Sequence, residues 1–154
     1  MKWDNCTIAL KNTVQIMNNR RLAREAAVQS LFQEDFDATI AFAKDAPSSF
    51  TKQLIDGVSQ YRSDIDKMIE ASTQHWAADR MAIVDRNVLR MAIFEMMFLR
   101  ETPPAVVINE AIEIAKKYGN ENSGGFVNGI LDALRKTLPV EAGVGLKHTT
   151  RKTL

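Results

Sequence analysis

The sequence predicts an all-α fold. Strand signals are weak, because no stretch of β-branched residues alternates with polar ones between hairpin turns. Apolar residues recur instead at spacings of three and four, which is the period of an amphipathic helix. Only seven glycines and four prolines occur in 154 residues, and they fall mostly at the expected junctions between helices. The chain is therefore expected to form a helical domain that buries a sizeable core.

The first predicted helix covers roughly residues 20–36, with Asn18 or Asn19 as its N-cap. Its apolar side chains recur four residues apart and form one stripe. Residues 1–18 contain scattered apolar side chains without a firm pattern. Residues 37–47 are predicted to be a loop with a short helical piece, because their pattern is broken.

The next helical run is predicted to be capped by Ser48 or Ser49. A serine followed three residues later by an aspartate, beginning at Ser63, resembles a capping box. We therefore divide the run into helices over 49–61 and 64–76.

A strongly apolar helix is predicted over 86–99, with Asp85 as its N-cap. Apolar residues cover more than half of its circumference, so this helix should lie at the centre of the core. Pro103 and Pro104 end it and begin another helix, since proline is tolerated in a first turn.

The last predicted helix covers 124–137 and is capped by Ser123. Gly119 is the expected C-terminal glycine of the helix before it. Pro139 ends the helical pattern, and the tail that follows is predicted to be flexible.

The net charge of +1 conceals an uneven distribution. Residues 1–30 carry +3, residues 31–134 carry −6 and residues 135–154 carry +4. A nearly neutral protein with basic ends can bind an anion locally. The alternative is that the termini are charged for solubility.

Several classes of protein are excluded by composition. Cys6 is the single cysteine, which excludes a disulfide framework and a thiolate metal cluster. No apolar run approaches the roughly 20 residues that a membrane span needs, and the N-terminus lacks the pattern of a secretory signal. A cytoplasmic protein without a membrane segment is expected.

The sequence carries no sign of catalysis. It has no phosphate-binding loop, no dinucleotide fingerprint and no nucleophile elbow. His75 and His148 are isolated, so no histidine pair has metal-ligand spacing. Glu110 and Glu113 form an acidic pair, but a solvated helix face accounts for them better than acid–base chemistry. We predict no enzyme activity, no cofactor and no metal.

Two places break local rules, and the first is the cluster of Arg20, Arg21 and Arg24. These cations would stand in the first turn or so of a helix, where each costs about 0.3–1 kcal/mol against the helix dipole. Phosphate binding would explain the cluster. Alternatively, acidic residues of the middle segment neutralise it within the fold.

The second place is the start of the last helix, from Asn122 to Phe126. Two glycines weaken this helix start, and exposed backbone N–H groups there favour an anion. An aromatic side chain beside an anion site suits a stacked, single-stranded base. The alternative is that Phe126 packs at the rim of the core.

Four blocks of the sequence belong together: RRLAREAAVQSLF at 20–32, VDRNVLRMAIFE at 84–95, PAVVINEAIEIAK at 104–116 and FVNGILD at 126–132. In this order and spacing, over about residues 19–138, they resemble the transcription antitermination factor family NusB. The third and fourth blocks together are the most specific.

The resemblance implies an all-α fold of about seven helices in two packed bundles, and no enzyme activity. NusB proteins pair with the ribosomal protein also called NusE. The pair binds the boxA element of nascent RNA and joins the transcription elongation complex, notably on ribosomal RNA operons. The RNA contacts implied by position are Arg20, Arg21, Arg24, Phe32, Asn122, Ser123 and Phe126. The NusE side is implied around Arg80 and Asp85.

The chain also departs from the family. Leu22 stands where many relatives have a third consecutive basic residue, and Phe32 where the family often has tyrosine. Gly124 and Gly125 replace a more polar pair that often includes lysine. Weak RNA affinity in the absence of the protein partner is therefore expected.

The domain organisation expected is an N-terminal extension at 1–18, an RNA-binding domain at 19–138 and a flexible basic tail at 139–154. Two other functions remain open. One is a protein-interaction module or homodimer on the NusB fold without RNA binding. The other is the accessory domain of an RNA cytosine methyltransferase, which is disfavoured because 154 residues leave no room for a catalytic domain.

Overall fold

The computed structural model describes residues 4–36, 48–73 and 81–138. These ranges contain only helices as regular structure, so the all-α prediction is confirmed, although they hold five α-helices where the resemblance implies about seven. Part of the difference arises because the predicted pair at 49–61 and 64–76 forms one element. The helices are α1 (Asp4–Phe36), α2 (Ser49–Ser72), α3 (Ile83–Ile93), α4 (Pro104–Tyr118) and α5 (Ser123–Arg135).

Helix α1 begins at Asp4, much earlier than predicted. No glycine or proline interrupts the sequence between residues 4 and 36, so nothing local ends the helix near Asn18. The predicted cap at Asn18 or Asn19 is therefore wrong. Consequently the arginine cluster stands inside a helix, and the dipole argument for its cost does not apply.

Helix α2 is capped by Ser48, one of the two predicted caps, whose hydroxyl oxygen accepts a hydrogen bond from the backbone N–H of Thr51 at 3.1 Å. The expected break appears as a kink at Tyr61, with φ −105° and ψ 16°. The capping box is not formed, because Asp66 accepts two hydrogen bonds from Arg90 at 2.8 and 2.9 Å. The helix ends at Ser72, and the rest of the predicted 64–76 helix lies outside the described residues.

Helix α3 is the centre of the core, as predicted. It packs against the other four α-helices, and the chain from Asn87 to Met96 is buried. A six-residue π-helix, Phe94–Leu99, continues it and ends at Arg100 in a left-handed conformation with φ 56°. Gly57 of α2 lies against the Phe94 ring so closely that an added Cβ would stand 2.0 Å from it. Glycine is therefore required at that crossing.

Helices α4 and α5 pack against each other as a hairpin. Pro104 opens α4, and Gly119 closes it with a backbone hydrogen bond to Ala115, both as predicted. Helix α5 begins at Ser123 rather than after it, with Asn122 at the N-cap position. Among the described helices, none combines the length and the apolar character that a bilayer crossing demands.

Candidate nucleic-acid interface

Arg24 of the predicted cluster points into the core. Its Nε and Nη2 donate hydrogen bonds to the two carboxylate oxygens of Glu95 at 2.8 and 2.7 Å. The exposed fractions of the two side chains are 3% and 0%. A guanidinium so enclosed does not reach a ligand at the surface, and the prediction that Arg24 contacts RNA does not fit this geometry.

Arg21 lies at the surface and is held by α4. Its Nε and Nη2 both donate to the Glu110 carboxylate at 2.8 Å. The exposed fraction is 44% for the Arg21 side chain and 12% for Glu110. The hydrogen bonds from Arg21 hold the pKa of Glu110 below its ordinary value, and the same contact raises the pKa of Arg21. Both groups are therefore charged at neutral pH.

Arg20 is partly exposed and lies over an aromatic ring. Its guanidinium carbon is 4.8 Å from the centroid of the Phe50 ring, and Nη1 donates to the Thr102 hydroxyl at 3.3 Å. The guanidinium of Arg24 lies 5.4 Å from the same ring. Phe50 thus orders one side of the cluster by cation–π contact.

The two interpretations of the cluster, neutralisation within the fold and phosphate binding, therefore apply to different arginines. Acidic side chains of the middle segment pair with Arg24 and Arg21, as the structural alternative expected. Arg20 and Arg21 still present guanidinium groups at the surface, which phosphate binding requires.

The exposed side of α4 connects the arginines with the start of α5. Glu113 and Lys116 form an exposed pair at 3.8 Å. Lys117 and the Tyr118 hydroxyl both donate to Glu25 of α1 at 2.9 Å. Because α4 has 15 residues, this surface is about 22 Å long.

The three RNA contacts predicted at the start of α5 differ in their exposure. Asn122 is exposed, and Phe126 is half-buried against the core, where the alternative interpretation placed it. Ser123 is fully buried, and its oxygen accepts a hydrogen bond from the backbone N–H of Asn120 at 3.0 Å. Its predicted roles as N-cap and as RNA contact do not fit this position.

Two glycines give α5 an open and a covered side. A Cβ on Gly125 would meet no atom within 4 Å, so its surroundings are open. A Cβ on Gly124 would stand 3.0 Å from Cγ of Lys116, which lies across that glycine. Lys116 therefore brings a cation to the start of α5, where the sequence of α5 itself has none.

Asp85 is buried in the first turn of α3 and is not its N-cap, because the helix begins at Ile83. Its carboxylate hydrogen-bonds the Ser123 side chain, and burial raises its pKa above the ordinary value. Its Oδ1 has no hydrogen-bond partner in the described part of the chain. The other residue predicted on this side, Arg80, lies outside the described residues.

Phe32 lines an open groove of about 370 Å³ between α1, α3 and α4, together with an aromatic ring of α4. Its own ring packs against that of Phe36 with centroids 4.9 Å apart. The residues lining the groove are Val28, Gln29, Phe32, Gln33, Val84 and Tyr118.

Sequence reasoning missed two residues of this surface, Glu110 and Lys116, and one buried residue that supports it, Glu95. Glu95 stands out in the sequence as a polar exception in an apolar helix, but its partner lies 71 residues away in the chain. Glu110 and Lys116 have the pattern of an ordinary solvated helix face. Over residues 4–36, 48–73 and 81–138, no group of three or more acidic, histidine or cysteine side chains is arranged to hold a metal ion.

Comparison with known proteins gives one consistent family. A model described as the NusB family matches residues 12–136. The transcription antitermination protein NusB of Elusimicrobium minutum is 44% identical over 133 residues, covering 78% of this chain and 95% of that protein. The NusB of Anaeromyxobacter dehalogenans is 46% identical over 138 residues, covering 80% and 95%.

Solved structures agree with the sequence matches. NusB of T. maritima superposes with a TM-score of 0.69 at 39% identity, covering 77% of this chain and 91% of that one. A crystal structure of the antitermination factors NusB and NusE in complex with dsRNA has a TM-score of 0.68 at 29% identity, covering 79% and 99%.

Proposed function

This chain belongs to the NusB family of transcription antitermination proteins, and from that membership we propose that it binds boxA-like single-stranded RNA of nascent ribosomal transcripts together with the ribosomal protein NusE. A structure of the antitermination factors NusB and NusE in complex with dsRNA supports pairing with NusE and RNA binding here. The protein acts by binding rather than by catalysis, in the cytoplasm and within the transcription elongation complex.

The observation that carries this proposal is the exposed guanidinium of Arg21, which Glu110 of α4 fixes at the surface. The preceding residue, Arg20, holds a second, partly exposed guanidinium over the Phe50 ring. Two ordered cations at the surface suit the phosphates of an extended strand. Arg24 supports this surface from below through its pair with Glu95, and does not bind RNA itself.

The second RNA contact proposed is the first turn of α5. Asn122 is exposed there, and Phe126 is only half-buried, so we propose that a base stacks on its ring. Lys116 adds a phosphate contact across Gly124. The two contacts reach α4 at Glu110 and Lys116, which lie about 9 Å apart along the helix axis, so that one extended strand can touch both.

The NusE side is proposed around the start of α3, with Arg80 as a contact and Asp85 as a support. Asp85 is buried and acts by tying the start of α3 to the start of α5 through Ser123. The Phe32 groove borders this region through Val84. Phe32 is proposed to contact the bound RNA strand from that groove.

The RNA-binding unit proposed is residues 19–138, with 1–18 as an N-terminal extension, of which residues 4–18 belong to α1, and 139–154 as a basic tail. The structure runs through the first of these boundaries within one helix. The extension is therefore proposed to be a continuation of α1 rather than a separate domain.

A titration of the full chain with fluorescent boxA-like RNA, with and without NusE, tests the proposal. We expect weak binding by the chain alone, and tighter, sequence-dependent binding by the heterodimer. A scrambled RNA of the same length is the control. Equal affinity for both RNAs in the presence of NusE would contradict the proposal. A homodimer that binds neither RNA nor NusE, seen by light scattering, would establish the alternative function instead.

A further inference from the structure

We propose that Glu110 is a positioning residue for RNA, which holds one edge of the Arg21 guanidinium so that the other edge faces a phosphate. This inference rests on the proposed RNA binding and goes beyond it. It explains why a carboxylate, that of Glu110, lies within a surface proposed to bind the negatively charged RNA.

The geometry of the pair leaves half of the guanidinium for a ligand. Glu110 engages Nε and one proton of Nη2 of Arg21. A guanidinium has five N–H donors in a rigid fork, and the edge formed by Nη1 and Nη2 can still bind a phosphate with two hydrogen bonds. The hydrogen bonds to Glu110 do not use Nη1, and 44% of the Arg21 side chain is exposed.

Glu110 is itself held from below. Nη1 of Arg24 lies 3.9 Å from Oε2 of Glu110, and Arg24 is locked by its two hydrogen bonds to Glu95. The four side chains thus alternate in charge from Glu95 through Arg24 and Glu110 to Arg21. Their exposure rises along the same path, from 0% to 44%. The position of the surface arginine is therefore set by the core.

The pair remains ionised whenever the protein is folded at neutral pH. The contact lowers the pKa of Glu110 and raises the pKa of Arg21, so neither group loses its charge there. An ordered arginine binds a phosphate with a smaller loss of side-chain entropy than a mobile one.

If Glu110 instead competed with phosphate for Arg21, its removal would have the opposite effect on RNA affinity. If Glu110 occupied the same edge that phosphate needs, RNA would have to displace it, and removing the carboxylate would tighten binding. The structure favours positioning, because Glu110 lies on the protein side of Arg21 and is only 12% exposed. A phosphate arriving from solvent meets the other edge first.

Glu110→Gln tests the proposal, with Glu113→Gln as the matched control. Both changes remove one negative charge from α4, three residues apart, but Glu113 pairs with Lys116 instead of Arg21. We expect the Glu110→Gln heterodimer to bind boxA-like RNA about five-fold more weakly than the Glu113→Gln heterodimer, since one long side chain must now be ordered on binding. Equal or tighter binding would overturn the proposal.

Arg21→Lys provides a second, independent variant. Lysine keeps the charge but cannot share two edges between a carboxylate and a phosphate. In this background Glu110→Gln should weaken binding no more than Glu113→Gln does, and a persistent five-fold difference would show that Glu110 does not act through Arg21. Absence of RNA binding by the unmodified heterodimer would instead reject the proposed function itself, so the two failures are distinguishable.

Discussion

The guanidinium of Arg24 and the carboxylate of Glu95 form a two-fold hydrogen-bonded ion pair in the core, with N–O distances of 2.8 and 2.7 Å. Removing two charges from water is costly, and only close geometry offsets that cost. The pair joins α1 to the π-helix that follows α3. Arg24 is thus a structural part of the arginine cluster.

Glu95→Gln is expected to lower the free energy of unfolding by about 3–5 kcal/mol, because it leaves the Arg24 charge buried without its counter-ion. Urea unfolding measures this decrease. The control is the double variant Arg24→Met with Glu95→Leu, which buries no charge and should be destabilised far less. If the double variant also reduces the salt dependence of RNA binding, Arg24 contacts phosphate directly and its structural assignment is incorrect.

Arg20→Ala and Arg21→Ala should each flatten the plot of log K against log salt for boxA-like RNA. The expected change is about 0.7 in slope for each phosphate of a single strand that is no longer neutralised by an arginine. Fluorescence titrations of the heterodimer at several salt concentrations measure the slope. Lys67→Ala, an exposed change on α2, is the control and should leave the slope unchanged. An unaltered slope in both arginine variants would remove the arginines from the interface.

The features that follow from local sequence were predictable. The apolar pattern located the central helix, and Ser48 marked the start of α2, because caps and helical periods depend on near neighbours. The kink at Tyr61 appears where the pattern changes. The family motif likewise led to the surface of α1 on which Arg20 and Arg21 lie.

Features that depend on distant residues were not predictable. The N-terminal part of α1 is helical because no glycine or proline interrupts it. Its weak apolar pattern did not indicate a helix. Arg24 looks identical to Arg21 in sequence, yet a partner 71 residues away draws it into the core. Ser123 has the composition of a cap, but its hydroxyl is taken by Asn120 and Asp85. Burial of polar side chains depends on tertiary contacts, which local pattern does not contain.

Phe126→Ala is expected to weaken RNA binding by about 1–3 kcal/mol if a base stacks on this ring. Phe126→Leu separates stacking from packing, because leucine fills the rim of the core without offering an aromatic face. Both variants should therefore bind RNA weakly, while thermal unfolding shows that the leucine variant is the more stable of the two. A leucine variant with full RNA affinity would assign Phe126 to the core alone.

Asp85→Asn is expected to stabilise the fold at pH 7, because burial disfavours the charged form of Asp85 and raises its pKa, whereas asparagine carries no charge to bury. The folded-state pKa lies above the unfolded value, so the native form binds the proton more tightly. The contribution of wild-type Asp85 to stability is thus complete below the unfolded pKa, near 3.9, and is lost as the pH rises through the folded value. The advantage of Asn should shrink on acidification. Chemical unfolding of both proteins from pH 7 to pH 4 measures it, and a constant difference would contradict the assignment.

Gly125→Lys is expected to strengthen RNA binding, because the position is open and lies in the first turn of α5 near Lys116. The new cation should add about 0.7 to the magnitude of the salt slope if it reaches a phosphate. Gly125→Ala is the control, since it supplies the same increase in helix propensity, about 1 kcal/mol, without a charge. The alanine variant should unfold at higher urea concentration than the parent, and the lysine variant should gain less stability because its cation opposes the helix dipole. Only the lysine variant should bind RNA more tightly. Equal RNA affinity for the lysine and alanine variants would place the strand away from α5. The RNA would then contact only the surface that carries Arg20 and Arg21 of α1.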